Sequence, residues 1–131
     1  MSWAERYIGL PYVEDGRGPD GFDCWGLTRK VLAEVFHVEL PAYENSGNRE
    51  ERLALISAVD AAGGYTRVDE PREGAIVLAQ TGNRRSHVGL CIDGERMLHA
   101  QPGVGACIAR LDSPQWRNAI RGFYLPPRRP A

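Results

Sequence analysis

The stretch His87-Val88-Gly89-Leu90-Cys91-Ile92-Asp93-Gly94-Glu95-Arg96-Met97-Leu98-His99-Ala100 decides how the chain is read. Two short apolar runs flank turn-forming residues around Asp93-Gly94, the pattern of two strands joined as a β-hairpin. His87 and His99 have the same parity, so they share a face of that hairpin when the loop is odd and fall on opposite faces when it is even. A three-residue loop with Gly94 at positive φ would set the imidazoles directly opposite each other. A two-residue Asp93-Gly94 turn would instead pair Val88 with His99 and separate them. On a shared face one imidazole can hydrogen-bond the other and fix its tautomer, leaving a free nitrogen for a nucleophile. The plainer alternative makes His87 a surface residue at a strand start and His99 a satisfied buried one.

Working outward, short apolar or alternating runs recur at Tyr65 to Val68, Ala75 to Ala79, Ala106 to Leu111 and Ile120 to Leu125, each bounded by turn residues. Upstream the period changes. Asp23 reads as an N-cap, and behind it Cys24, Leu27, Val31, Leu32, Val35 and Phe36 recur at intervals of three and four, with Thr28, Arg29, Lys30 and Glu34 on the other side. A second helix is predicted from Arg49 to Ala62, with Asn48 as N-cap, Glu51 as capping-box partner and Gly63-Gly64 as the stop. Residues 2 to 9 suit a short helix stopped by Gly9-Leu10-Pro11. Helices first and strands afterwards predict an α+β fold, with N-terminal helices packed on a mainly antiparallel sheet of about five to six strands. The Gly-rich segment from Glu14 to Gly21 is expected to form a rim loop before Cys24, because in the core it would strand backbone polar groups. Residues 1–125 read as one domain, and the Pro- and Arg-rich residues 126–131 as a loose tail.

The 131 residues carry 16 basic and 17 acidic side chains, a formal net charge of −1, with 43% hydrophobic residues. This is the balance of a single globular domain, and it lacks the electrostatic footprint of a nucleic-acid binder. The longest purely apolar run, Ala75 to Ala79, is far below the roughly 20 residues needed to span a bilayer. Glu5 and Arg6 put charge where a signal peptide needs an apolar stretch, so no secretory address is expected.

Cys24, Cys91 and Cys107 are an odd number with no C-x-x-C pair, which argues against a disulfide framework and against a zinc knuckle. Cys24 stands at the first helical position, where unpaired backbone N–H groups and the macrodipole favour a thiolate. Cys91 and Cys107 lie within strand patterns and read as core filler. His37 suits a contact with a helix dipole and is assigned no chemistry. A metal held by Cys24, His87 and His99 is chemically feasible, but zinc sites usually take two ligands from one local motif, which is absent here.

Four motifs in order resemble a known family. Gly9-Leu10-Pro11-Tyr12, Phe22-Asp23-Cys24-Trp25-Gly26-Leu27, Ser86-His87-Val88-Gly89-Leu90 and Met97-Leu98-His99-Ala100 are similar to the G-x-P-Y, D-C-x-G-L, H-V-G and I-H-A motifs of the NlpC family of papain-like cell-wall cysteine peptidases. The resemblance runs from about Ala4 to Tyr124 and implies a papain-like α+β domain that hydrolyses amide bonds of peptidoglycan stem peptides, typically between γ-D-glutamate and a diamino acid. It implies Cys24 as nucleophile, His87 as general base and His99 as the residue that orients it, with no metal or organic cofactor. Tyr12, Asp23 and Ser86 match places that line the site or contact substrate, although helix capping accounts for Asp23 equally well. Trp25 stands where the family usually has Ser and is expected to narrow the groove. Arg17, Arg84 and Arg85 are candidates for meeting an acidic stem peptide. The Asp-Cys-Trp-Gly-Leu form resembles the phage-tail and prophage branch, which implies a virion- or tail-associated protein, with other tail proteins as partners, that reaches the wall from outside. A structural tail module without hydrolysis, or an amidase or acyltransferase on the same scaffold, remains the alternative.

Overall fold

A computed structural model describes residues 3–14, 16, 18–39, 65–81 and 85–126, with backbone alone at 81, 85 and 86. A 3-10 turn at Trp3–Arg6 is followed by helix α1 (Cys24–Val35) and strands β1 (Thr66–Val68), β2 (Ile76–Thr81), β3 (Arg85–Cys91), β4 (Arg96–Gln101), β5 (Gly105–Arg110) and β6 (Ile120–Leu125). The strands form one six-stranded sheet in the order β1-β6-β2-β3-β4-β5, with antiparallel neighbours throughout. The α+β reading and all six strands therefore hold. The helix predicted from Arg49 to Ala62 lies outside the described residues, as do tail residues 127–131.

Asp23 caps α1 as its sequence position predicts: its Oδ1 accepts the Gly26 N–H at 2.7 Å. Such a cap is worth about 1 kcal/mol. Leu27, Val31 and Leu32 then bury against Ile76, Leu78, Val88, Leu90 and Leu98 on one face of the sheet. Thr28 departs from the amphipathic expectation. It is buried, and its hydroxyl donates to the Cys24 carbonyl at 2.9 Å, so the first turn of α1 is enclosed all round. The helix ends where Phe36 and Val38 both donate to the Leu32 carbonyl, with exposed His37 between them at φ 60°.

The other sheet face carries Ala75, Val77, Ala79, Cys91 and Met97, covered by Leu111 and by Trp116 from the connection between β5 and β6. That connection folds as successive turns in which the Trp116 N–H donates to Ser113 and the Trp116 carbonyl accepts from Ala119 and Ile120.

The β3–β4 hairpin corrects two details of the sequence reading. Leu90 pairs with Leu98 and Cys91 with Met97, and the Ile92 N–H donates to Arg96 at 2.8 Å, which leaves Asp93, Gly94 and Glu95 as an odd loop. In this register His99 faces Gly89 and not His87, which lies diagonally, two residues further along β3. Gly94 does not adopt positive φ. The loop is closed by the Asp93 carboxylate, whose Oδ1 accepts from the N–H groups of Glu95 and Arg96 (2.8 and 2.9 Å) while Oδ2 takes the Arg96 guanidinium (2.9 and 3.1 Å). Those contacts hold the Asp93 carboxyl below its ordinary pKa, the Glu95 backbone bond foremost. β2–β3 and β4–β5 are each paired over six positions, whereas the β3–β4 register is limited to two.

Candidate active site

His87 Nε2 and His99 Nδ1 lie 2.9 Å apart, with ring planes at 88°. The shared face follows from the odd loop, and the diagonal reach is allowed by Gly89, where a Cβ would meet His99 Cβ at 3.2 Å and the Leu98 carbonyl oxygen at 3.2 Å. His99 is 1% exposed, and burial pushes its pKa down to about 4, so at neutral pH the ring is uncharged. Its second nitrogen, Nε2, stands 3.6 Å from Cys107 Sγ. Trp116 covers the pair: its ring stacks on His87 at 5.2 Å and 21°, and meets His99 edge-on at 5.1 Å and 82°.

These contacts fix the face. The histidines share the side of the sheet that carries Cys91, Met97 and Trp116, whereas the apolar stripe of α1 covers the opposite side. This corrects the expectation that they lie on the face under α1. Cys24, 2% exposed, opens α1 on that covered side, and the β3–β4 ladder between the two sides stops at Leu90 and Leu98.

In front of Cys24 the chain doubles back. The Phe22 N–H donates to Pro11, the Gly18 N–H to Gly21 and the Gly16 N–H to Val13, while the Gly16 carbonyl accepts the Asp23 N–H at 3.1 Å. Glu14, Gly18, Pro19 and Asp20 are exposed along this loop, which rests on the first turn of α1 through Gly16. The Tyr12 hydroxyl donates to Glu14 at 3.3 Å, and its pKa is raised chiefly by burial, then by the charge of Glu14, with Cys24 and Asp23 adding to it. Tyr12 is thus a neutral phenol within electrostatic reach of Cys24. It also lines a depression of about 220 Å³ with Pro11, Gly103, Val104 and Gly105.

Residues 9–124 match the NlpC/P60 family. The chain belongs to that family. It is 28% identical over 120 residues to the probable endopeptidase p60 of Listeria grayi, covering 92% of this chain and 21% of that protein. It is 27% identical over 110 residues to the murein DD-endopeptidase MepS/murein LD-carboxypeptidase of Escherichia coli (strain K12), covering 84% and 52%. This NlpC/P60 chain therefore spans about a fifth to a half of those relatives' length. Among solved structures, the NlpC/p60 domain of peptidoglycan hydrolase SagA superposes with a TM-score of 0.62 at 26% identity, covering 93% of this chain and 91% of that one. A lipoprotein-like NLP/P60 protein of Staphylococcus aureus shares the fold with a TM-score of 0.67 at 24% identity, covering 96% and 39%.

The remaining residues singled out in the sequence fall as follows in this NlpC/P60 domain. Trp25 is 1% exposed within the core under α1, so its ring offers almost no surface to a ligand. Asp23 is buried in its capping role, and Ser86 belongs to the backbone of β3, as does Arg85. Arg17 and Arg84 lie outside the described residues. Cys91 is fully buried, which pushes its thiol up to about 12 and suits core packing. Cys107 is more than filler. It is half-buried on β5, paired directly with His99 of β4, and its contact with the imidazole was not foreseen. It makes a poor nucleophile all the same, since burial raises the thiol and lowers the His99 imidazole, both against a thiolate–imidazolium pair. Trp116 was missed entirely. Among the described residues no group of three or more His, Cys, Asp or Glu is placed to hold a metal ion, and no helix is long and apolar enough to cross a membrane.

Proposed function

We propose that this chain is a cysteine peptidase that hydrolyses amide bonds in peptidoglycan stem peptides, with Cys24 as nucleophile, His87 as general base and His99 as its orienting partner. The observation that carries this reading is the 2.9 Å contact between His87 and a buried, uncharged His99 in an NlpC/P60 chain. A neutral His99 accepts from His87 Nε2–H, which leaves His87 Nδ1 with a lone pair for the Cys24 proton, and on this reading the thiol at the start of α1 reaches His87 past the end of the short β3–β4 ladder. The thiolate adds to the scissile carbonyl, and backbone N–H groups at the start of α1 receive the oxyanion. The His87 imidazolium then protonates the departing amine, and a water activated by the restored imidazole clears the thioester. No metal or organic cofactor enters these steps. Trp116 keeps water off the His87–His99 bond from the far side of the sheet.

On this reading the substrate lies along the depression lined by Tyr12 and the Gly103–Gly105 turn, and the resemblance of the motifs supports Ser86 and Asp23 as further substrate contacts. The bond between γ-D-glutamate and the diamino acid is the first to examine, supported by the resemblance of the four motifs. Residues 1–125 are taken as the catalytic unit, with residues 126–131 a tail. The Asp23-Cys24-Trp25-Gly26-Leu27 form supports a place on a phage tail or prophage particle that acts on the wall from outside. Purified protein incubated with peptidoglycan should release new amine and carboxyl ends identifiable by mass spectrometry, and Cys24→Ala should abolish them without unfolding the domain. Equal release by both proteins would overturn the assignment, and release of a transferred acyl product in place of acid would make the enzyme an acyltransferase.

A further inference from the structure

The orienting histidine has a second partner that the triad leaves without a role. Cys107 sits on β5 directly across the ladder from His99, so backbone pairing sets its distance, and its Sγ lies 3.6 Å from His99 Nε2. The geometry points to Cys107 as a positioning residue that holds His99 in the tautomer the reaction requires.

This inference rests on the proposed triad and follows proton by proton. For His87 Nδ1 to receive the Cys24 proton, the His87 hydrogen must sit on Nε2 and be donated to His99 Nδ1. A neutral His99 then carries its own hydrogen on Nε2, facing Cys107 Sγ, which accepts through a sulfur lone pair. The reverse arrangement disables the site. If the Cys107 S–H donated to Nε2, the His99 hydrogen would move to Nδ1, the His87 hydrogen would be driven to its Nδ1, and no lone pair would face the thiol. One hydrogen bond at β5 thus decides the state of two rings in series. Burial keeps His99 uncharged and Cys107 a neutral thiol, so the direction of this bond is set by the His87 Nε2–H, which occupies His99 Nδ1 and leaves the hydrogen of His99 on Nε2.

The test uses the full chain with 15N-labelled histidine, in wild type, Cys107→Ala and Cys107→Ser. Ring 15N shifts report which nitrogen carries the hydrogen, independently of any hydrolysis. Wild type should show His99 protonated at Nε2 and bare at Nδ1. Cys107→Ala should show mixed tautomers and a fall in kcat of about five-fold on stem-peptide fragments with KM unchanged, the factor carried by one weak hydrogen bond. Cys107→Ser, which keeps an acceptor, should restore both. A wild-type His99 protonated at Nδ1, or a Cys107→Ala protein with wild-type shifts, would overturn the assignment of Cys107 while leaving the peptidase reading untouched. Wild type without hydrolysis but with the expected shifts and the expected mixing in Cys107→Ala would do the opposite.

Discussion

Gly26→Ala sets two known effects against each other, and the structure predicts which wins. Within a helix, Ala is favoured over Gly by about 1 kcal/mol, so propensity alone predicts a more stable protein. A Cβ at Gly26, however, would stand 2.2 Å from the Gly16 carbonyl oxygen and 3.3 Å from the Gly16 carbonyl carbon, both backbone atoms. To reach ordinary contact the Gly16 carbonyl must retreat by about 1 Å. That takes its 3.1 Å bond from the Asp23 N–H beyond hydrogen-bonding distance. A buried donor without its acceptor costs about 1–3 kcal/mol and the overpacking another 1–3. Set against the propensity gain, the net loss is about 3 kcal/mol. At about 2.1 cal/mol/K per residue over 131 residues, each 1 kcal/mol moves Tm by about 3.6 °C, so the fall is about 11 °C. Scanning calorimetry of both proteins under one buffer measures it. A Tm equal to or above wild type would show that the loop before Cys24 is not seated on α1, and the reasoning would fail.

Gly89→Ala should lower kcat about ten-fold and stability by about 1 kcal/mol, because its Cβ would crowd Met97 Sδ at 3.0 Å and His99 Cβ at 3.2 Å and press β4 away from His87; unchanged kinetics would show that Gly89 does not set the histidine spacing. Trp25→Ser should cost about 3–5 kcal/mol in denaturant unfolding, since the ring is part of the core; wild-type stability with an altered cleavage profile would return Trp25 to the groove. His99 ionises in the folded state only near pH 4 but near 6.5 when unfolded, so between those values the unfolded chain binds the extra proton. Stability is thus full above pH 6.5 and declines by about 3 kcal/mol toward pH 4, and His99→Gln should flatten that slope in chemical denaturation; an equal slope in both proteins would place the titration elsewhere.

The parts of the fold legible in the sequence were those set by local pattern. Asp23 announced a helix start because its side chain meets its own first turn, and the six strands followed from alternation between turn residues. Parity brought His87 and His99 to one face, but it could not say which face, because that depends on how Val88, Leu90 and Leu98 meet Leu27 and Val31 from far along the chain. Gly94 looks like the turn former, but it is the Asp93 carboxylate that closes the loop. Cys107 became visible only through the register of β4 on β5, in which Gln101 pairs with Gly105 around the residues Pro102, Gly103 and Val104. A three-residue loop at Pro102-Gly103-Val104 is the local signal from which the pairing of His99 with Cys107 follows. Trp116 had no such signal, since its connection reads as turn and its partners are fixed by tertiary packing.

The short β3–β4 ladder makes the hairpin a pair of arms joined at one end. From the last ladder pair, Leu90 with Leu98, the arm to His87 extends three residues, about 10 Å at about 3.3 Å per residue. A rotation of about 5° at the joint therefore carries the His87 Cα through about 1 Å, the difference between a hydrogen bond and none. The joint itself is held by the Asp93 carboxylate and the Arg96 guanidinium, on the surface and far from any chemistry. Each arm is tied to its outer neighbour, His87 to Ala79 of β2 and His99 to Cys107 of β5, so the spacing of the imidazoles records how two half-sheets meet at this joint.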